Sequence, residues 1–299
     1  MRNILRIIGL ILVIIVVLLV LVVGFVFAQS NSKLNQTWEV DVASLDIPTD
    51  EEALLEGERI FISRGCADCH TESGGGANFI DDPAMGVISA SNLTSGEGGV
   101  GQTYTAEDYI RAIQHGLRPD NTSLIIMPSE DWQQMRSEEL GPLVAYIQSL
   151  EPVDNVLPER QIGPVARALL TFDQLSLAAS LIDHETAGLV DVDFGATVEY
   201  GEYLAQTCAG CHGQDFSGGV VLDPSSPPSA NITPHETGIG SWTLDDFVTA
   251  MQTGVNPDGH ELRPPMPWQA FVQMTPEELE ALYLYFQSIE PVDNEIAIE

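Results

Sequence analysis

The sequence predicts a mainly α protein in which two tandem helical units follow one N-terminal membrane-spanning helix. Three observations carry that expectation. Ile7 to Ala28 is an uncharged apolar run, and long stretches of the remaining chain recur at an offset of 138 to 144 residues. Within each recurring stretch, N-cap residues precede apolar residues at helical spacing.

Of 299 residues, 44% are hydrophobic and 18% charged, enough apolar material for a packed core and unlike a disordered chain. Eleven Lys and Arg stand against 44 Asp and Glu, and because Arg2 and Arg6 precede the apolar run, the rest carries 9 − 44 = −35. A surface this acidic repels polyanions and excludes nucleic-acid binding as the main task. It has no attraction for anionic headgroups either, so membrane attachment must be hydrophobic.

The first element, residues 1–28, reads as a transmembrane anchor. Its 22 uncharged residues would reach about 33 Å as a helix, enough to span a bilayer core. With Arg2 and Arg6 before the run and an acid-rich chain after it, the N-terminus is expected in the cytoplasm and the soluble part on the periplasmic or extracellular side. Val26-Phe27-Ala28 also fits a signal-peptide cleavage site, although the run is longer than a usual signal core. Both readings export residues 29–299. Residues 29–49 are polar and irregular and read as a tether.

Four cysteines in an exported chain would ordinarily suggest two disulfides. Here they fall as Cys66-Ala67-Asp68-Cys69-His70 and Cys208-Ala209-Gly210-Cys211-His212, a Cys-x-x-Cys-His motif used twice with no cysteine left over. Two thiols about one helical turn apart reach the two vinyl groups of a haem, and the adjacent imidazole swings under the iron. A thioredoxin-like pair would want a βαβ context and no repeated His. Pairs sharing one zinc would lie closer together than 208 − 66 = 142 residues, and a disulfide within each pair explains neither His. The expected cofactors are therefore two haem c groups.

The repeat turns two short motifs into two units. Gly57-Glu58 matches Gly201-Glu202, Asn92-Leu93-Thr94 matches Asn231-Ile232-Thr233, and Glu151-Pro152-Val153-Asp154-Asn155 matches Glu290-Pro291-Val292-Asp293-Asn294. The units are placed at residues 50–155 and 195–299. Thr49 with Glu52, Thr105 with Asp108 and Thr275 with Glu278 read as helix starts. Leu140, Leu143, Val144 and Ile147, then Leu279, Leu282, Tyr283 and Phe286, recur at helical spacing as core faces. Between motif and middle helix, Gly74 to Gly101 and Gly213 to Gly240 read as long loops, which a haem would pack. Residues 156–194 have no counterpart and read as an interdomain clasp or a plain linker.

A second axial ligand decides the chemistry, since a sulfur ligand closes the iron for electron transfer while an open position invites catalysis. Met127-Pro128 and Met266-Pro267 are repeat-equivalent and lie between the middle and last helices. Met135 and Met274 are equivalent too, but each directly precedes a helix start, the place of a hydrophobic staple. Met85, Met251, His115, His184, His235 and His260 have no partner across the repeat. The candidate site is thus Cys66, Cys69, His70 and Met127, with Cys208, Cys211, His212 and Met266, the His and Met residues binding iron. Trp132, Trp242, Trp268, Arg118 and Arg263 stand where they could line a pocket or meet propionates, or simply pack.

On these motifs, and on Met266-Pro267-Trp268 followed by Phe271 and Met274, the chain resembles the bacterial membrane-anchored dihaem cytochromes c. The resemblance covers residues 50–294 and implies two tandem cytochrome c domains, each a small helical fold around one covalently bound haem. It implies an electron carrier and not an enzyme, working between respiratory or dehydrogenase partners. Ser129 stands where the second unit has Trp268. A dihaem peroxidase would need an open iron, against which two Met-Pro loops argue, and a fixed subunit of a larger oxidoreductase is the other reading. The acidity predicts redox partners with a basic docking face, or else adaptation to a saline habitat.

Overall fold

A computed structural model describes residues 2–221 and 226–296. Met1 of the anchor, residues 222–225 of the second long loop and residues 297–299 of the second unit lie outside the described residues. Helix α1 spans Arg2–Leu34, six residues further than the anchor was expected to run, because Gln29 to Leu34 is polar but holds no Gly or Pro to stop it. The remaining tether is not free. Val42, Leu45 and Ile47 pack against the core of the first unit, and Trp38 donates its N–H to Asn121 O at 3.1 Å.

In the first unit, α2 (Glu51–Ser63) is capped by Asp50, which accepts from the Ala53 N–H, so the start lies one residue beyond the expected Thr49. A short α3 (Cys66–His70) follows. The stretch read as a long loop contains a hairpin, β1 (Ala77–Asp82) and β2 (Gly86–Ala90). Asp82 builds its turn by accepting from the N–H groups of Ala84 and Met85, both at 2.8 Å. Then come α4 (Ala106–His115), with the Thr105–Asp108 capping box, the short strand β3 (Gln134–Met135), and α5 (Ser137–Ser149).

Residues 156–194 wrap the first unit instead of merely joining two bodies. Strand β4 (Gln161–Ile162) extends the hairpin sheet, α6 (Pro164–Thr171) packs on α1, and β5 (Gly188–Leu189) pairs in parallel with β3. His184 reaches back to His115 with their Nδ1 atoms 3.2 Å apart, while His184 Nε2 donates to Ala179 O. That tautomer makes His184 Nδ1 the acceptor and His115 Nδ1 the donor. Burial first, then His184 and Arg111, holds the His115 imidazole down at about 4, and burial also lowers His184. Both groups favour the neutral form when folded, so their contribution is present above the ordinary imidazole range of about 6.5 and is lost as pH falls toward 4. Melting temperature should therefore drop between pH 7 and 4.5 more steeply in the native chain than in His184→Gln. Identical slopes would refute the assignment.

The second unit repeats the pattern with α7 (Val198–His212), α8 (Leu244–Thr253), a single turn α9 (Trp268–Phe271) and α10 (Pro276–Ser288). Here the motif is the end of one continuous helix. Thr243 with Asp246 and Thr275 with Glu278 form full capping boxes. Each core lies where the first and last helices cross, around Phe61, Leu140 and Val144 in one unit and Tyr200, Leu279 and Phe286 in the other. Gly57 and Gly201 sit at those crossings, where a Cβ would stand 2.1 Å from Pro142 O and 2.0 Å from Ala281 O. Backbone touching backbone leaves no flexible neighbour to yield. Gly201→Ala should therefore cost about 3 kcal/mol, the upper end of ordinary overpacking, in denaturant unfolding of the haem-loaded protein. An unchanged midpoint would contradict the crossing geometry.

Candidate haem sites

Each motif is aimed by a hydrogen bond the sequence does not display. His70 Nδ1 lies 2.8 Å from Ser91 O and His212 Nδ1 lies 2.7 Å from Ala230 O, at equivalent places in the repeat. A carbonyl only accepts, so Nδ1 carries the proton and Nε2 keeps its lone pair for a metal. Burial lowers both imidazoles below their ordinary range against the raising effect of that bond, which favours the neutral, ligating form.

Those two carbonyls are held in turn by the Asn-x-Thr and Glu-Pro-Val-Asp-Asn repeats acting together. Asn92 donates to Val153 O at 2.7 Å and accepts from Thr94, while Asn231 donates to Val292 O at 2.8 Å and accepts from Thr233. The chain end of each unit is thus tied to the residue that follows the histidine's partner.

The four cysteines are free and half-buried, with no disulfide between them. Burial, the largest effect, pushes Cys66 and Cys208 up to about 12 and raises Cys69 and Cys211 as well. Thiols kept neutral by burial are poor nucleophiles for thiol–disulfide exchange.

In the first unit the motif opens on a cavity of about 550 Å³. Cys66, Cys69 and His70 line one side; Met127 and Trp132 line another. This volume lies within the usual range of about 300–1,000 Å³ for cofactor pockets. Trp132 Nε1 is buried with no hydrogen-bond partner. Arg118 lines the same cavity, pushed down to about 10 by burial and then by the nearby Arg160, which also lines it. Among the described residues neither arginine has a carboxylate within ion-pairing distance. An apolar hollow with a waiting indole N–H and two unpaired cations fits a flat macrocycle bearing two carboxylates.

Both methionine candidates of the first unit line this cavity, but they are held differently. Met135 is 1% exposed in the core, and its carbonyl accepts from Val190. Met127 is half-buried on the turn anchored by Ser129, whose hydroxyl donates to Ala112 O at 2.8 Å. The second unit repeats the contrast, with Met274 in the core and Met266 half-buried at its edge. In place of Ser129 it has Trp268, whose indole lies on Gly254, where a Cβ would stand 2.3 Å from Cε2. The equivalent Gly116 instead faces Ala178 of residues 156–194. This segment therefore occupies the tryptophan's place in the first unit, and its Leu157 and Arg160 add to the cavity wall.

The two sites adjoin. Gly210, between the cysteines of the second motif, faces the Asp131 carboxylate on the methionine turn of the first unit, and burial pushes that carboxyl up to about 7. Glu139 of α5 accepts from Tyr200 and Tyr203 of α7 and pairs with Arg64 at 2.6 Å. Glu278, its repeat equivalent on α10, pairs with Arg59 of α2 at 2.7 Å. The last helix of each unit thus grips the first helix of the other, a pseudo-two-fold contact that nothing in local sequence announces.

A family model described as Cytochrome c matches residues 54–151 and again 198–290. The chain is 40% identical over 110 residues to the fructose dehydrogenase cytochrome subunit of Gluconobacter japonicus, which covers 32% of this chain and 22% of that protein. It is 36% identical over 126 residues to the cytochrome c subunit of the quinone alcohol dehydrogenase of Gluconobacter oxydans, covering 35% and 26%. This chain thus spans about a quarter of the length of those relatives. A diheme cytochrome c-type protein of Cereibacter sphaeroides is 24% identical over 229 residues, 68% of this chain and 73% of its own length. The model matches over both repeats, where the imidazoles and free thiols converge, and so the chain belongs to the cytochrome c family, as two tandem domains that carry two haem c groups.

Proposed function

We propose that the chain is a membrane-tethered relay for single electrons. Haem c supplies an iron that gains and loses one electron. In this reading Cys66 with Cys69, and Cys208 with Cys211, hold the two groups by thioether links. His70 and His212 would hold the irons through Nε2, with Met127 and Met266 as their second protein ligands. The observation that carries the assignment is the duplicated His Nδ1–carbonyl bond, which leaves Nε2 of each imidazole as a fixed ligand. The core positions of Met135 and Met274 favour the half-buried Met127 and Met266 as the sulfur ligands. Arg118, Arg160 and Trp132 would receive propionates.

The chain divides as an anchor at 1–28, a tether at 29–49, domains at 50–155 and 195–299, and a clasp at 156–194. Retention of the anchor is supported by α6. Arg167 stacks 4.0 Å over the Phe27 ring, and the Thr171 hydroxyl shares its proton between Arg167 O and Val26 O. Cleavage after Ala28 would remove Val26 and Phe27, two of the residues that α6 holds. Arg2 and Arg6 before the span, and the acidic chain after it, favour an outward-facing soluble part. The acidity favours a donor or acceptor with a basic docking face. The named relatives are subunits of dehydrogenases, which favours a second form of the same reading, a fixed cytochrome subunit of a larger membrane complex. Co-purification of a stoichiometric dehydrogenase in mild detergent separates that from a free carrier.

Met127→Ala and Met266→Ala test the ligands. Each should abolish the sulfur-to-iron charge-transfer band of one oxidised centre, roughly halving the total, while both haems stay attached. Full retention of the band in either variant would overturn that residue's assignment.

A further inference from the structure

Resting on the anchor reading above, we infer that the turn following α6, led by Phe172, is a lipid-contacting foot that seats the first domain on the outer face of the bilayer. Ile7 to Phe27 spans about 31 Å as a helix, close to the hydrocarbon thickness of about 30 Å, which sets Val26 and Phe27 at its outer boundary. Helix α6 is fastened at that depth. Arg167 donates to Ser30 Oγ at 2.9 Å and Asn31 Oδ1 at 2.8 Å, and one turn later Thr171 meets Val26 O at 3.2 Å. These pairs run α6 antiparallel to the end of α1, so its C-terminal end points toward the lipid.

Phe172, the next residue, is 59% exposed, and Phe27 beside α6 is 51% exposed. Two large apolar rings, each at least half exposed at one depth, offer lipid an aromatic face of the kind that interfacial segments bury. The two cations beside them have partners. Lys33 pairs with Asp173 and donates to Leu170 O, and the Arg167 guanidinium is stacked on Phe27. The Asp173 carboxylate, 86% exposed and paired with Lys33, stays in the wet headgroup layer while the Phe172 ring meets the headgroup–acyl boundary. The occupant is lipid because the patch continues the surface of the spanning helix.

The same segment supplies strand β4, Ala178 against Gly116, and the Arg160 wall of the first cavity. A foot at Phe172 would therefore hold the first haem site at a fixed height and tilt over the membrane.

The test uses the full haem-loaded chain in phosphatidylcholine nanodiscs, with the photoreactive p-benzoylphenylalanine placed singly at Phe172, at Leu18 within the span, and at Phe194, which packs on Tyr200. After irradiation, intact mass should rise by one phospholipid for the probes at 172 and 18, with no gain at 194. A lipid adduct at 18 without one at 172 would overturn the foot and leave the anchor standing. So would an adduct at 172 to another protein when the native membrane is used. Failure at both 18 and 172 would overturn the anchor reading itself, and the foot with it.

Discussion

Replacing Cys66 and Cys69 together by serine should yield a chain that matures with one haem instead of two, the second centre spectrally unchanged. Serine cannot form the thioether, and the second motif ends a separate helix with its own histidine bond to Ala230 O. The consequence for the first domain is severe. At about 24 cal/mol per Å³, an unfilled hollow of 550 Å³ corresponds to an upper bound of about 13 kcal/mol, as large as the whole stability of a typical domain. The walls would collapse or the domain would unfold, so the variant should show early protease cleavage within residues 50–155 and a protected second domain. Two haems on the double variant, or equal protection of both domains, would contradict the site.

Glu139→Ala should destabilise the haem-loaded protein by about 3–5 kcal/mol, the usual cost of removing one partner of a buried ion pair. Burial alone would raise this carboxyl, but Arg64 and the hydroxyls of Tyr203 and Tyr200 outweigh it and hold it below the ordinary range. With the carboxylate gone, Arg64, its side chain 6% exposed, loses its counter-charge, and two tyrosine hydroxyls lose their acceptor. Because those donors come from both domains, the variant should also lose rigid docking. Transfer between the haems, followed by flash reduction of one centre, should slow along with the loss in unfolding free energy. A change below 1 kcal/mol with an unaltered transfer rate would show that the cluster is incidental.

Much of the site was readable before any fold was known, because its chemistry is local. Cys-x-x-Cys-His needs only one helical turn to be recognised, and Thr105 with Asp108 or Thr275 with Glu278 advertises a helix start within four residues. The repeat itself flagged Asn92-x-Thr94 and the Glu-Pro-Val-Asp-Asn tail, but not that one binds the other across 61 residues. The supporting partners stayed hidden for the same reason. The carbonyls of Ser91 and Ala230 belong to residues of no special type, and Arg160 enters the first cavity from a segment without a repeat counterpart. The Gly-dense stretch concealed a hairpin, since its Phe79-Ile80 and Val87-Ile88 pairs are too short a signal beside eight glycines and a Pro. Ser129 looked like a weakness in the first pocket. Its meaning came only from Ala178, placed against Gly116 by a chain excursion of 62 residues.

All of this depends on two porphyrins being covalently fixed to one polypeptide. Intact-mass spectrometry of the chain produced in a host that matures c-type cytochromes, read beside its reduced absorption spectrum, measures that directly. The expected result is the polypeptide mass plus two haems, with the narrow α-band of bis-ligated haem c. A mass equal to the bare polypeptide, or to the polypeptide with its four cysteines joined in disulfides, would contradict it.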